Sequence, residues 1–206
     1  EKKFDDAEKY LKIALEFNPV SAQIIFELCE VYKITKRYSE FFEWTKEALQ
    51  YSYSSKDIAH AYRNFGYYYI ENQNFLFALE MYMYSELFDK NEMSASEIEY
   101  IKNKSNVKPI HSFEELHEVF EKEGIQIGVN EKIVVAIDNF ADIAKENKDY
   151  RLALEAYYML YDMTLIDIFK DKAKEITELL DLQDDDNNKD IDDNDNDNDD
   201  EYEDEE

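Results

Sequence analysis

The residues able to do chemistry are few: three histidines, one cysteine, and tyrosines in unusual number. His117-Glu118 opens like a zinc-protease helix, in which two histidines four residues apart hold the metal and the glutamate acts as base. Glu121 stands where the second histidine belongs, so the ligand set is incomplete. His111 falls just ahead of an expected helix and reads as a solvated loop residue. Cys29 has no partner for an intrachain disulfide and reads as a small core residue, because buried cysteine packs like a hydrophobe. Asp192, Asn194, Asn196 and Glu203 imitate the spacing of a calcium-binding loop, but Asp197 replaces the turn glycine. No glycine-rich phosphate loop occurs. The expectation is no catalytic residue, no cofactor and no metal. The run Tyr67-Tyr68-Tyr69 would suit stacking of bases or sugars. Aromatics at helical spacing pack more readily than they display themselves, so a structural role is expected.

Charge narrows the partners. The 206 residues carry 23 basic and 50 acidic side chains, a formal net charge of −27. Residues 184–206 hold 15 acids against Lys189 alone, so about half of that charge lies in the tail. Phosphate backbones and anionic membranes need a basic surface, which disfavours nucleic acid and membrane as partners. No apolar run is long enough to span a bilayer and no signal peptide is visible. With a single cysteine, these features point to the cytoplasm.

The elements that must position these residues are helices. Gly (3) and Pro (2) are too scarce for a turn-rich β fold. In 59–90 two apolar stripes at spacings of three and four flank the polar turn Glu71-Asn72-Gln73-Asn74. Ala59, Tyr62, Phe65, Gly66 and Tyr69 form one stripe; Ala78, Tyr82 and Ser85 form the other. Gly66 and Ala78 are small where two helices cross closely, and Tyr62, Tyr69 and Tyr82 fill the spaces beside them.

The pattern recurs. Ile25, Leu28, Cys29, Tyr32, Phe41 and Ala48 fall at the same offsets, as do Ile137, Phe140, Ala141, Ala144, Ala153, Tyr157 and Leu160. Ala7, Leu11, Ala14 and Pro19 match the second half of the unit. Ala14 to Ala48 is 34 residues; Ala48 to Ser85 is 37, which places about three extra residues in the turn near Tyr53 to Lys56. The series resembles the tetratricopeptide repeat (TPR) over roughly residues 1–165. Between the copies, residues 94–104 read as helical, Pro109 breaks the chain, Ser112 with Glu115 signals a helix start, Gly124 a helix stop and Asn130 a further start. Residues 165–182 read as a closing helix. The series opens in the second helix of a repeat, so a further first helix is expected upstream. The fold class is all-α, an α-α superhelix over 1–182, with a disordered Asp/Asn/Glu-rich tail over 183–206.

The resemblance implies a protein-interaction scaffold or adaptor whose first helices line a concave groove holding a peptide or helix. By offset the groove residues are Gln23, Phe26, Glu30, Lys33, His60, Arg63, Tyr67 and Ile70, with Asp138, Asp142 and Lys145 in the C-terminal copy. Arg63 and Asn64 sit near positions of the carboxylate clamp of some TPR proteins, but Glu27 and Glu30 would repel such a ligand. Self-association remains open. So do two other readings: an acidic chaperone-like protein that binds basic partners through its tail, and the regulatory part of a longer enzyme or sensor.

Overall fold

Several helices begin where a short polar side chain accepts a backbone N–H. The computed structural model describes residues 2–111, 113–122, 124–125 and 130–192. Their helices are α1 (Lys2–Phe17), α2 (Ala22–Ile34), α3 (Tyr38–Gln50), α4 (Ser55–Glu71), α5 (Phe75–Phe88), α6 (Glu92–Lys104), α7 (Phe113–Lys122), α8 (Glu131–Glu146), α9 (Tyr150–Thr164) and α10 (Asp167–Asp192). Ser21, Ser54, Asn74 and Asn91 accept from the amides of Ile24, Asp57, Phe77 and Ser94. Asn130 accepts from Lys132 at the start of α8, as its position predicts. Ser112, the side chain of His117 and residues 193–206 lie outside the described residues.

Three helix ends are built alike. Lys36, Gln73 and Lys148 take left-handed φ values of 59°, 59° and 61°. After each, an amide reaches back five residues: Arg37 to the Tyr32 carbonyl, Asn74 to Tyr69, and Asp149 to Ala144, at 2.8, 2.9 and 2.9 Å. This is the Schellman closure, which satisfies carbonyls left open at a helix end. The next helix starts at once, so α2–α3, α4–α5 and α8–α9 are hairpins with the same three-residue turn. Gly124, at φ 68°, closes α7 in the same way through the Ile125 amide.

The chain forms two compact units, one of 1–135 with 162–165 and the other of 136–161 with the residues from 166 onward. In the first, each helix from α1 to α6 packs on the next in chain order, the arrangement of an all-α superhelix. The repeat stripes are its core. Ile25, Leu28, Cys29, Phe41, Ala48, Ala59, Tyr62, Phe65, Ala78 and Ser85 are fully buried. Tyr62, Tyr84, Phe88 and Phe120 form one aromatic cluster with ring centroids 4.5–6.1 Å apart.

Two expectations change. The extra residues near Tyr53 do not lengthen a turn: 18–21 and 51–54 are equally long connections. They add a turn to the start of α4, whose register partner of Ala22 is Ala59, four residues inside the helix. One added turn leaves every later side chain on its original face, so the core pattern survives. At the other end, α10 runs to Asp192, past the composition boundary at 182. No glycine or proline interrupts it between 167 and 192.

In the second unit, Ala141, Ala144, Ala153, Tyr157 and Leu160 are buried, as the repeat pattern predicts. Phe140 is not; it is 47% exposed. No described helix is long and apolar enough to cross a membrane.

Candidate binding face

α2 and α4, the first helices of neighbouring hairpins, lie side by side and bring most of the expected groove residues into one stripe. Phe26 stacks on His60 with centroids 4.1 Å apart and planes at 15°. Two turns on, the Lys33 ammonium sits 5.0 Å over the Tyr67 ring and 2.9 Å from Glu30. Tyr67 meets Tyr38 and Phe41 of α3, at 6.4 and 5.9 Å. Tyr38 in turn donates its hydroxyl to Glu71 at 2.7 Å. Gln23 is exposed and Ile70 half-buried.

Two of these residues are not displayed as the sequence suggests. Phe26 is 5% exposed and Arg63 is 8% exposed. Phe26 is buried because His60 of the longer helix α4 covers its ring. The Arg63 guanidinium turns along the stack to Asp89, donating to its carbonyl at 3.3 Å and its carboxylate at 3.4 Å. Those bonds are long, and the Arg63 Nε is buried with no hydrogen-bond partner, as is the Asn64 Nδ2. Burial, with Arg63 nearby, pushes the His60 pKa below its ordinary value, so the ring facing Phe26 is neutral at pH 7.

The corresponding residues of α8 are already engaged. Asp138 and Asp142 lie 2.7 and 3.5 Å from Lys172 of α10, and Lys145 lies 2.7 Å from Glu175. Tyr157 donates to Asp142 in a very short bond. Here α10 lies across the face that the sequence reading leaves open, because its own lysine and glutamate match the charges beneath it.

Two further corrections concern polar residues. His111 is not simply solvated: its Nδ1 lies 2.8 and 2.9 Å from the two oxygens of Glu80. Glu80, 2% exposed, also accepts the amides of Ile110 and His111 at 3.1 and 3.2 Å. It fastens the connector after α6 to α5. Its signal in the sequence is a single acid inside the apolar run of 75–84, a residue that must find donors if it is buried.

Among the described residues no three His, Cys, Asp or Glu side chains are grouped to hold a metal. Burial pushes the Cys29 thiol up to about 12, so it is protonated at neutral pH.

The fold and this stripe define a helical-repeat protein with a mixed aromatic and charged face. No protein-family model matches the chain, and no curated protein matches it.

Proposed function

We propose that this protein is a TPR-type scaffold or adaptor that holds a peptide or helix of another protein along the α2–α4 face. The supporting observation is the character of that face. Rings and aliphatic stems lie beside charges of both signs, and two buried donors, Arg63 Nε and Asn64 Nδ2, have no acceptor. A buried donor without a partner costs about 1–3 kcal/mol, which an incoming carbonyl would relieve. An extended or helical segment supplies such acceptors together with apolar anchors.

The test compares baits in a native lysate: the intact chain, a His60→Glu/Tyr67→Glu variant, and a chain ending at Leu182. Both substituted residues are partly exposed, and the circular dichroism and melting of the double variant check that the fold is kept. A partner lost only with the double variant, and whose bound segment maps to a single peptide or helix, supports the reading. Recovery that is equal with the double variant but lost on removal of the tail transfers binding to the acidic segment instead.

A further inference from the structure

A second docking surface runs along α5. Phe77, Glu80, Tyr84 and Phe88 recur at spacings of three and four and form one stripe of that helix. It is distinct from the Ala78, Tyr82 and Ser85 stripe that packs in the repeat. Moving back 37 residues, the repeat step between these second helices, gives Glu40, Glu43, Glu47 and Tyr51 of α3. There Glu43 and Glu47 are exposed to water. On α5 the apolar version is covered: Tyr84 is 3% exposed and Glu80 2%.

The cover is the segment that departs from the repeat, and it runs in the direction of α5. His111 stacks on Phe77 with centroids 6.2 Å apart and holds Glu80, which also takes the amides of Ile110 and His111. Phe120 of α7, fully buried, meets Tyr84 and Tyr62 at 5.6 and 6.1 Å. At the end of α7, where helix carbonyls concentrate negative charge, stands Lys46 of α3. Its ammonium is 3.8 Å from the place a β-carbon on Gly124 would take. The connections between α1 and α6 are three or four residues long, whereas α7 hangs between 105–112 and 123–130. Eight extended residues reach about 25 Å, enough for α7 to leave the stripe without moving α6.

We propose that the α5 stripe docks an amphipathic α-helix of a partner protein, and that the segment from Ile110 to Lys122 is its built-in competitor. What sits there defines what fits. Glu80 takes two successive amides and a side-chain donor, Tyr84 takes an aromatic nine residues further on, and Lys46 takes a helix C-terminus. A leucine four residues before the aromatic, as Leu116 at 7% exposure precedes Phe120, completes the apolar edge. Two copies of this chain, each at −27, repel one another, which favours a less acidic partner over a second copy. A tethered competitor has an effective concentration of roughly millimolar, so a free helix binds tightly once α7 is displaced. This stripe is separate from the α2–α4 face.

The probe is a fluorescein-labelled synthetic peptide with the sequence of residues 109–125. Leu116→Glu/Phe120→Glu in the full chain should empty the stripe, because two carboxylates would otherwise be buried there. Saturable binding to that variant is expected, tighter than to the wild-type chain by roughly tenfold or more. A peptide carrying Phe120→Glu should not bind. Adding Glu80→Ala to the emptied chain should weaken the unchanged peptide by about fivefold, the loss of one hydrogen bond. Hydrogen exchange of the wild-type chain needs no variant: the α7 amides should exchange by local opening, well before those of α4. Equal binding to both chains, no binding to an emptied chain whose circular dichroism is retained, or α7 exchange at the rate of α4 overturns the proposal. So does a concentration-dependent dimer of the wild-type chain that the double variant abolishes, since the stripe would then belong to α7 of a second copy.

Discussion

The ring of Tyr82 lies flat against Gly66: a β-carbon on Gly66 would stand 2.6 Å from the Tyr82 Cδ2 and Cε2 atoms. The same two positions, sixteen residues apart, hold Cys29 with Thr45 in the hairpin before and Ala141 with Tyr157 in the C-terminal hairpin. Gly66 faces Tyr82, and Cys29 faces Thr45, across the crossing of two antiparallel helices. This relationship predicts a compensating pair. Gly66→Cys alone should destabilise by about 2 kcal/mol through overpacking. Tyr82→Thr alone should cost about 3 kcal/mol through the cavity it leaves. The double variant recreates the Cys29–Thr45 pair, so its loss should fall short of the sum by at least about 1 kcal/mol. Urea unfolding of the four proteins measures the coupling; strict additivity would mean the two residues do not share a crossing.

The three hairpin turns carry Lys36, Gln73 and Lys148 in the left-handed region, where a side chain meets its own carbonyl. Gln73→Gly should therefore stabilise the chain by about 0.5–1 kcal/mol, relief of that strain outweighing the added freedom of the unfolded glycine. Thermal melting should show a rise of a few degrees on the scale expected for such a change. A fall would show that the Gln73 side chain makes a compensating contact.

Glu80 holds Ile110 and His111 from a position where water cannot replace it. Glu80→Ala should cost roughly 1–3 kcal/mol, the range for leaving buried donors unsatisfied. The loss should be local before it is global. Hydrogen exchange should accelerate first at the Ile110 and His111 amides while those of α4 stay protected. Uniform acceleration along α4 and α5 would show that the connector supports the whole unit.

Glu8 of α1 ties that helix to its neighbour. Its carboxylate bonds Lys12 at 2.7 Å, the Tyr32 hydroxyl at 3.0 Å and Arg37 at 2.5 Å. The Lys12 bond, followed by those to Arg37 and Tyr32, holds its pKa down at about 2 against an ordinary 4.5. A carboxyl depressed in the folded state contributes stability that is complete above its unfolded pKa. That stability is lost as the pH falls from about 4.5 toward 2. The stability difference between the wild-type chain and Glu8→Gln should accordingly be largest at neutral pH and shrink through that window. A difference independent of pH would place the effect of Glu8 in packing alone.

What the sequence determined by itself was the helices, their order and the face each one buries. Ala59, Tyr62, Phe65, Ala78 and Ser85 are legible as core because apolar burial follows the 3.6-residue period of a single helix, a local property. The helix start at Asn130 and the stop at Gly124 are legible for the same reason: capping groups lie within four residues of what they satisfy. Only the tertiary structure decided the fate of the polar side chains. Arg63 turns to Asp89, Glu80 clasps His111, and Lys172 covers Asp138, partners 26, 31 and 34 residues away. No periodicity encodes those pairings. Each depends on which helix ends arrive within about 3 Å of one another, the reach of a hydrogen bond. The same holds for Phe26, whose stripe position marks it as groove-facing and whose burial follows from the His60 ring brought over it by α4.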